Sequence, residues 1–152
     1  MSYLARVLQP DETVRYRGKI HWLVYWPAAL FLLVVIAGLY GYVTYAEHQT
    51  IAIAAMLLGA AGFLAGWLRG FIKRWSTEIA VTNRRVIFKE GLVARRTFEM
   101  NMDKIESVDV LQSVWGRIFG YGTIIVRGVG SGMEPLKGIS APIEFRNNVL
   151  VR

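Results

Sequence analysis

The chain of 152 residues contains no cysteine. That excludes disulfides, thiolate metal sites and a cysteine nucleophile, and it suits a reducing compartment. Histidine is nearly absent too: His21 and His48 stand alone, each at the end of an apolar run and on opposite faces of a membrane that the runs would span, whereas a shared metal site needs its ligands a few ångströms apart. The most informative lack is charge. No Asp, Glu, Lys or Arg occurs from Ile20 to Ala46 or from Gln49 to Leu68, and only Glu47 and His48 separate the two runs.

A hydrocarbon core about 30 Å thick takes about 20 apolar residues of helix, and each run is long enough. So short a polar link cannot cross again, so the two runs predict a transmembrane helical hairpin with both ends on one side. Aromatics stand where interfaces belong, with Trp22, Tyr25 and Trp26 at one end of the first span and Tyr40, Tyr42 and Tyr45 at the other. Pro27 falls in a first turn, where its missing N–H costs little. A water-soluble pair of core helices is the competing reading, but helices apolar all round need a large protein or lipid to bury them. A cleaved signal peptide is disfavoured, because polar residues precede the first run and the run is too long.

The net charge of +7 is concentrated around the spans. Arg6, Arg15, Arg17 and Lys19 precede them and Arg69, Lys73 and Arg74 follow, while the link holds only Glu47. Lys and Arg near span ends favour the cytoplasmic side, which predicts a multi-pass protein of the plasma or inner membrane with both termini cytoplasmic. Nucleic acid is not an expected partner, because the basic excess belongs to the span flanks.

The second span is rich in small residues. Gly62 and Gly66 form a G-x-x-x-G pair, and Gly59 with Ala55 extends the spacing. Such a face allows close helix approach. Packing on the first span near Ala37, Gly38 and Gly41 is the expected use; self-association or contact with another membrane protein is the alternative.

After Arg74 the pattern changes. Glu78–Thr82 and Arg85–Lys89 read as strands around a turn at Asn83, Glu90-Gly91 as a second turn, and Leu92–Met100 and the stretch with Ile105, Val108 and Val110 as further strands. Ser113–Phe119 reads as a short helical or irregular turn ended by Gly120 and Gly122, Thr123–Val129 and Leu136–Ile139 as strands, and Pro142 as the start of a short C-terminal helix with Ile143, Phe145, Val149 and Leu150 as its apolar positions. Many short strands predict a small antiparallel β-sandwich or barrel. The expected layout is an N-terminal cytoplasmic segment over 1–19, the hairpin over 20–74 with spans at about 22–46 and 50–70, and a β domain over 75–152.

Several spaced motifs agree in order: Val81-Thr82-Asn83-Arg84-Arg85-Val86-Ile87, Glu90-Gly91-Leu92, Lys104-Ile105-Glu106-Ser107-Val108, and the run from Gln112 through Trp115-Gly116-Arg117 to Ile124. With Leu8-Gln9-Pro10-Asp11-Glu12 ahead of two spans, the chain resembles the bacterial pleckstrin-homology-like domain of YdbS-type membrane proteins over nearly its whole length. The resemblance implies a seven-stranded, strongly bent β-sandwich closed by a C-terminal helix, and it carries over no catalytic residue.

The remaining motifs favour plain readings. Gly128–Gly132 lacks the following helix that a phosphate cradle needs and predicts a hairpin loop. Asp103, Glu106 and Asp109 have no nearby histidine or cysteine to complete an active site and read as solvated carboxylates. Arg69, Lys73 and Arg74 are the expected membrane-surface bases, and Arg84, Arg85, Arg95 and Arg96 are candidate contacts to anionic headgroups or a partner. The sequence therefore predicts a membrane-anchored cytoplasmic binding or scaffolding module, not an enzyme, with no cofactor or metal. Its expected partners are the bilayer and a membrane or cytoplasmic protein. The alternative is a subunit of a larger membrane enzyme or transport complex, although neither span carries a central ionisable group.

Overall fold

The computed structural model describes residues 3–132 and 135–150. In chain order the elements are α1 (Leu4–Val7), β1 (Val14–Gly18), α2 (Trp26–Thr44, led by a 3-10 turn at Trp22–Tyr25), α3 (Gln49–Ser76), β2 (Glu78–Thr82), β3 (Arg85–Glu90), β4 (Arg96–Asn101), β5 (Ile105–Leu111), α4 (Val114–Phe119), β6 (Tyr121–Gly128), β7 (Ser131–Gly132), β8 (Leu136–Ser140) and α5 (Pro142–Leu150). They form two compact units: Trp22–Ile72, and a β unit of Met1–His21 with Lys73–Arg152.

The first unit is a pair of long apolar helices. Pro27 sits in the first turn of α2, as its fixed φ favours. The small residues meet within the pair. A Cβ at Gly59 would lie 2.8 Å from Cγ2 of Val35, one at Gly66 would lie 3.0 Å from the backbone N of Ala28, and one at Gly62 would run into the Phe31 ring. From the other side, a Cβ at Gly38 would lie 2.8 Å from Cγ of Met56. The glycine face of α3 thus packs on Ala28, Phe31 and Val35 of α2, with Gly38 answering it. Ala37, expected at the same contact, is exposed, because it lies one position round the helix from Gly38. Outside this seam the pair is bare: only 11 % of the most apolar window of each helix is buried, and Leu33, Ile36, Leu57 and Leu64 are among the exposed residues.

The β unit consists of two four-stranded antiparallel sheets. One has the order β1-β2-β3-β4; in the other, β6 pairs with β5, β7 and β8. The strand at Val14–Gly18, which precedes both long helices, pairs with β2, matching Tyr16 to Val81 and Gly18 to Ile79. The β unit therefore draws on residues before the hairpin as well as on the expected 75–152. The basic flank hides a period-2 pattern: Val14, Tyr16 and Gly18 are sheltered, while Arg15 and Arg17 are exposed. Four of the five residues of β2 are buried, so both of its faces are covered. On one face Leu4 of α1 packs with Ala80 and Ile87. Elsewhere Ile79, Val81, Val86, Ile124, Val126, Ile139 and Phe145 are almost wholly buried.

The C-terminal helix buries Pro142, Phe145 and Val149, and the Phe145 ring meets Tyr16 edge-on at 6.1 Å. Ile143 and Leu150, the other apolar positions expected of this helix, are exposed, because the i, i+3, i+7 spacing belongs to Pro142, Phe145 and Val149. The expected hairpin loop after Thr123–Val129 is present as a tight turn: Gly128 pairs with Ser131, and Gly130 supplies the positive φ of +83°.

Candidate functional site

The strand registers give the β unit two distinct ends. β1 leaves the sheet at Gly18, opposite Ile79, and the chain continues through Ile20, bridged to Ile139, to His21. His21 donates its backbone N–H to Gly138 at 2.8 Å, and its ring lies 5.3 Å from that of Tyr121. The chain returns through the last turn of α3, where the Thr77 hydroxyl donates to the Lys73 carbonyl at 2.7 Å, and starts β2 at Glu78. Both connections to the long helices therefore lie at the Ile79 end of the first sheet, called here the tether end. Register places Glu90 and Arg96 there, opposite one another, along with Leu111, Tyr121 and Ser140 of the second sheet. The opposite, far end holds Thr82, Arg85 and Asn101, with Ile105 and Gly128. Four strand steps of about 3.3 Å separate Glu78 from Thr82, so the ends are roughly 13 Å apart along β2.

Acids and bases are closely matched at the far end. Arg85 is clamped: Nε donates to Oε1 of Glu12 at 2.9 Å, and Nη2 to Oε2 of Glu12 at 2.7 Å and to the Val7 carbonyl at 3.0 Å. Its Nη1 donates to Glu99 at 2.7 Å. The Thr82 hydroxyl and the Gln9 backbone N–H also donate to Glu12, at 2.7 and 3.2 Å. The Glu12 side chain is wholly shielded from solvent. The hydrogen bonds from Arg85 prevail over the cost of burial and hold its carboxyl down at about 2. Bidentate geometry makes this a strong pair, and it fastens the segment before the hairpin to the sheet. Arg84, half exposed, donates to the Gln9 side chain at 2.9 Å and lies 3.9 Å from Asp11. A polar cleft of about 440 Å³ beside them is lined by Gln9, Asn83, Arg84, Arg85, Asn101, Met102 and Asp103.

The tether end is different in kind. Its two loops, Gly91–Arg95 and Gln112–Gly120, contain Arg95 and Arg117 and no Asp or Glu, and Lys73 and Arg74 sit on the last turn of α3. All four bases are exposed. A cleft of about 370 Å³ is lined by Trp75, Ser76, Glu78, Lys89, Gly91, Leu92 and Arg95. Apolar side chains stand outward beside these bases: Val93 is 96 % exposed, Val114 72 % and Ile118 65 %, with Trp115 and Phe119 stacked ring on ring at 6.0 Å.

Helix α4 has this form for local reasons. Ser113 caps it, its hydroxyl accepting from the Gly116 N–H at 3.0 Å, and Gly120 ends it with φ +74°. Gln112 donates to the carbonyls of Gly116 and Tyr121 at 3.3 and 3.0 Å, fixing the loop to the start of β6. Gly116 faces inward against the Tyr121 carbonyl, where a Cβ would lie only 2.7 Å from the oxygen. Every larger side chain of α4 is left outside.

The expected site residues thus part company. Lys73, Arg74, Arg95 and Arg96 gather at the tether end; Arg84 and Arg85 lie at the far end, and Arg85 is committed to Glu12 and Glu99. Arg69 is exposed on α3 within the helical unit, which also holds Gly59, Gly62 and Gly66. Asp109 pairs with Arg127 at 3.0 Å, and Asp103 borders the far-end cleft. Among the described residues no cluster of three His, Asp or Glu is placed to hold a metal ion. Sequence reasoning missed the Glu12–Arg85 clamp and the outward face of α4; a buried carboxylate needs a partner, but nothing near Glu12 in sequence names one.

The model of a family described as the bacterial PH domain matches residues 28–149, a span that takes in most of both long helices and every strand from β2 onward. No curated protein and no solved structure matches the chain.

Proposed function

The chain belongs to the bacterial PH-domain family, and from that premise we propose that it is a membrane-anchored binding module of the cytoplasmic face. The two long helices span the bilayer as a hairpin, and the β unit is held at the surface with its tether end toward the headgroups. Binding there is non-catalytic and engages anionic lipid through Lys73, Arg74, Arg95 and Arg96, while the rest of the β unit remains open to a protein partner. Arg69 sits at the same interface, and the glycine seam keeps the hairpin together.

One observation carries this reading. The two connections to the apolar helices leave the β unit at the end where Lys73, Arg74, Arg95, Arg96 and Arg117 outnumber Glu78 and Glu90, and where the two loops themselves carry no acid. A basic residue near an anionic surface contributes about 1 kcal/mol, and the benefit fades within a Debye length, so charge clustered at the tether is where it would count. Exposure of the helices supports lipid as their solvent: a soluble core helix is mostly buried, and these are not.

The absence of native cysteine makes the topology directly testable. Single variants Glu47→Cys and Asn147→Cys, probed with an impermeant maleimide, should label from opposite faces of sealed vesicles, with Asn147→Cys reactive only from the cytoplasmic side. Labelling of both from one face, or release of the full chain by alkaline carbonate without detergent, would sink the proposal.

A further inference from the structure

We infer that α4 and the Leu92–Val93 loop form a wedge that enters the interfacial layer of the same bilayer, so that the β unit docks on lipid by apolar insertion and not by charge alone. Three observations combine. First, helix α4 turns Val114, Trp115, Ile118 and Phe119 outward and seats only Gly116 against the fold, so these side chains have no part in the core of the β unit. Second, the helix runs through Gly120 directly into Tyr121, whose ring packs on His21, the residue from which the chain passes into the first long helix. The wedge is therefore fixed beside a point that anchoring would hold at the headgroups. Third, the charge is suited to phospholipid: the Gln112–Gly120 and Gly91–Arg95 segments contribute Arg117 and Arg95 and no carboxylate. Aromatic rings with aliphatic tips and a basic rim are the composition that favours the headgroup–acyl boundary. The far end has no such set: its turns balance Arg84 and Lys104 with Asp11, Glu12 and Asp103, and Val129 is the only large aliphatic exposed there among the described residues.

This inference rests on the anchored reading, and the experiment separates the two. Single cysteines at Ile118, Val93, Val129 and Leu33 of the full chain are labelled with an environment-sensitive fluorophore. The protein is reconstituted in phosphatidylcholine–phosphatidylglycerol vesicles with and without doxyl-labelled lipid. Labels at Ile118 and Val93 should emit at shorter wavelength and lose most of their intensity to shallow doxyl groups. The label at Val129 should behave as in water, and that at Leu33 should be quenched by deep doxyl groups. If Ile118 and Val93 match Val129 while Leu33 is quenched, the wedge is overturned and the anchor stands. A Leu33 label untouched by lipid overturns the anchor and the wedge with it. Labels at Ile118 and Val93 that are shielded from water yet unquenched would mean that a protein surface covers them, which also overturns lipid as the occupant.

Discussion

The two ends of the β unit are built from similar residue types and put them to opposite uses. At the far end Arg85 is enclosed by Glu12, Glu99, Thr82 and the Val7 carbonyl, and the result is mechanical: residues before the hairpin are fastened to residues after it. At the tether end Arg95 and Arg117 stand on loops without acids, among side chains that a soluble domain would bury. An arginine held by two carboxylates has little left to offer a ligand; one beside exposed Trp, Ile and Val suits the anionic and apolar surface proposed above. The arginine pair 84–85 and the pair 95–96 look equivalent in sequence, and only the register of β3 against β4 separates them by end.

The largest effect is expected where the comparison can be broken outright. Arg85→Ala leaves the shielded Glu12 carboxylate without its cation, and losing one partner of a buried pair costs about 3–5 kcal/mol. Unfolding of the full chain in detergent should show a loss of that order, with the N-terminal segment becoming protease-sensitive first. The same clamp gives an acid limb to stability. A carboxyl held at about 2 against an ordinary 4.5 stabilises the fold at every pH above 4.5. That contribution drains away as the pH falls from 4.5 toward 2. In Glu12→Gln the slope of melting temperature against pH in this window should flatten; an unchanged slope would remove Glu12 from the account.

A smaller effect should come from moving α4 without touching charge. Gly116→Ala sets a methyl against the Tyr121 carbonyl, where 2.7 Å is too close for carbon and oxygen. Overpacking of this kind costs about 1–3 kcal/mol. The α4 side chains should shift with it, so an Ile118 label would report an altered depth while the Arg85 clamp keeps its acid-pH behaviour. A variant as stable as the parent would show that the loop yields freely, which would weaken the case for a rigid wedge.

Local pattern carried much of the fold. Glu78–Thr82 and Arg85–Lys89 are β-branched runs around a turn, and both are strands with nearly those bounds; Ser113 and Gly120 bracket a helix because a cap and a left-handed terminator are local devices. The strand at Val14–Gly18 was not legible, since its partner lies more than sixty positions away and its exposed face is arginine. The orientation of α4 was hidden for a related reason. Val114, Trp115, Ile118 and Phe119 have the composition of a core, and only the fit of Gly116 against β6 turns them out. For the candidate site, sequence gathered the right class of residue but could not sort it by end, because Arg84, Arg85, Arg95 and Arg96 differ in their long-range partners and not in their neighbours.

The finest distinction between the ends is electrostatic and should be the smallest in energy. Arg95→Gln or Arg117→Gln removes one exposed charge from the tether end, worth about 1 kcal/mol near an anionic leaflet. In vesicles rich in phosphatidylglycerol at low salt, each should lower the ratio of docked to undocked protein reported by an Ile118 label about fivefold. The loss should shrink as ionic strength rises and the Debye length contracts to roughly 8 Å. Arg84→Gln removes a charge from the far end, roughly 13 Å away along the sheet; once salt has brought the screening length down to about 8 Å, that distance exceeds it, and there Arg84→Gln should change docking less than Arg95→Gln does. Pure phosphatidylcholine is the discriminating medium. There the arginine variants should match the parent, because what remains is insertion of Trp115, Ile118 and Val93, which needs no anionic lipid. Equal sensitivity to Arg84→Gln and Arg95→Gln would mean that the β unit has no preferred end toward the membrane, and the contrast between its two ends would then be one of stability alone.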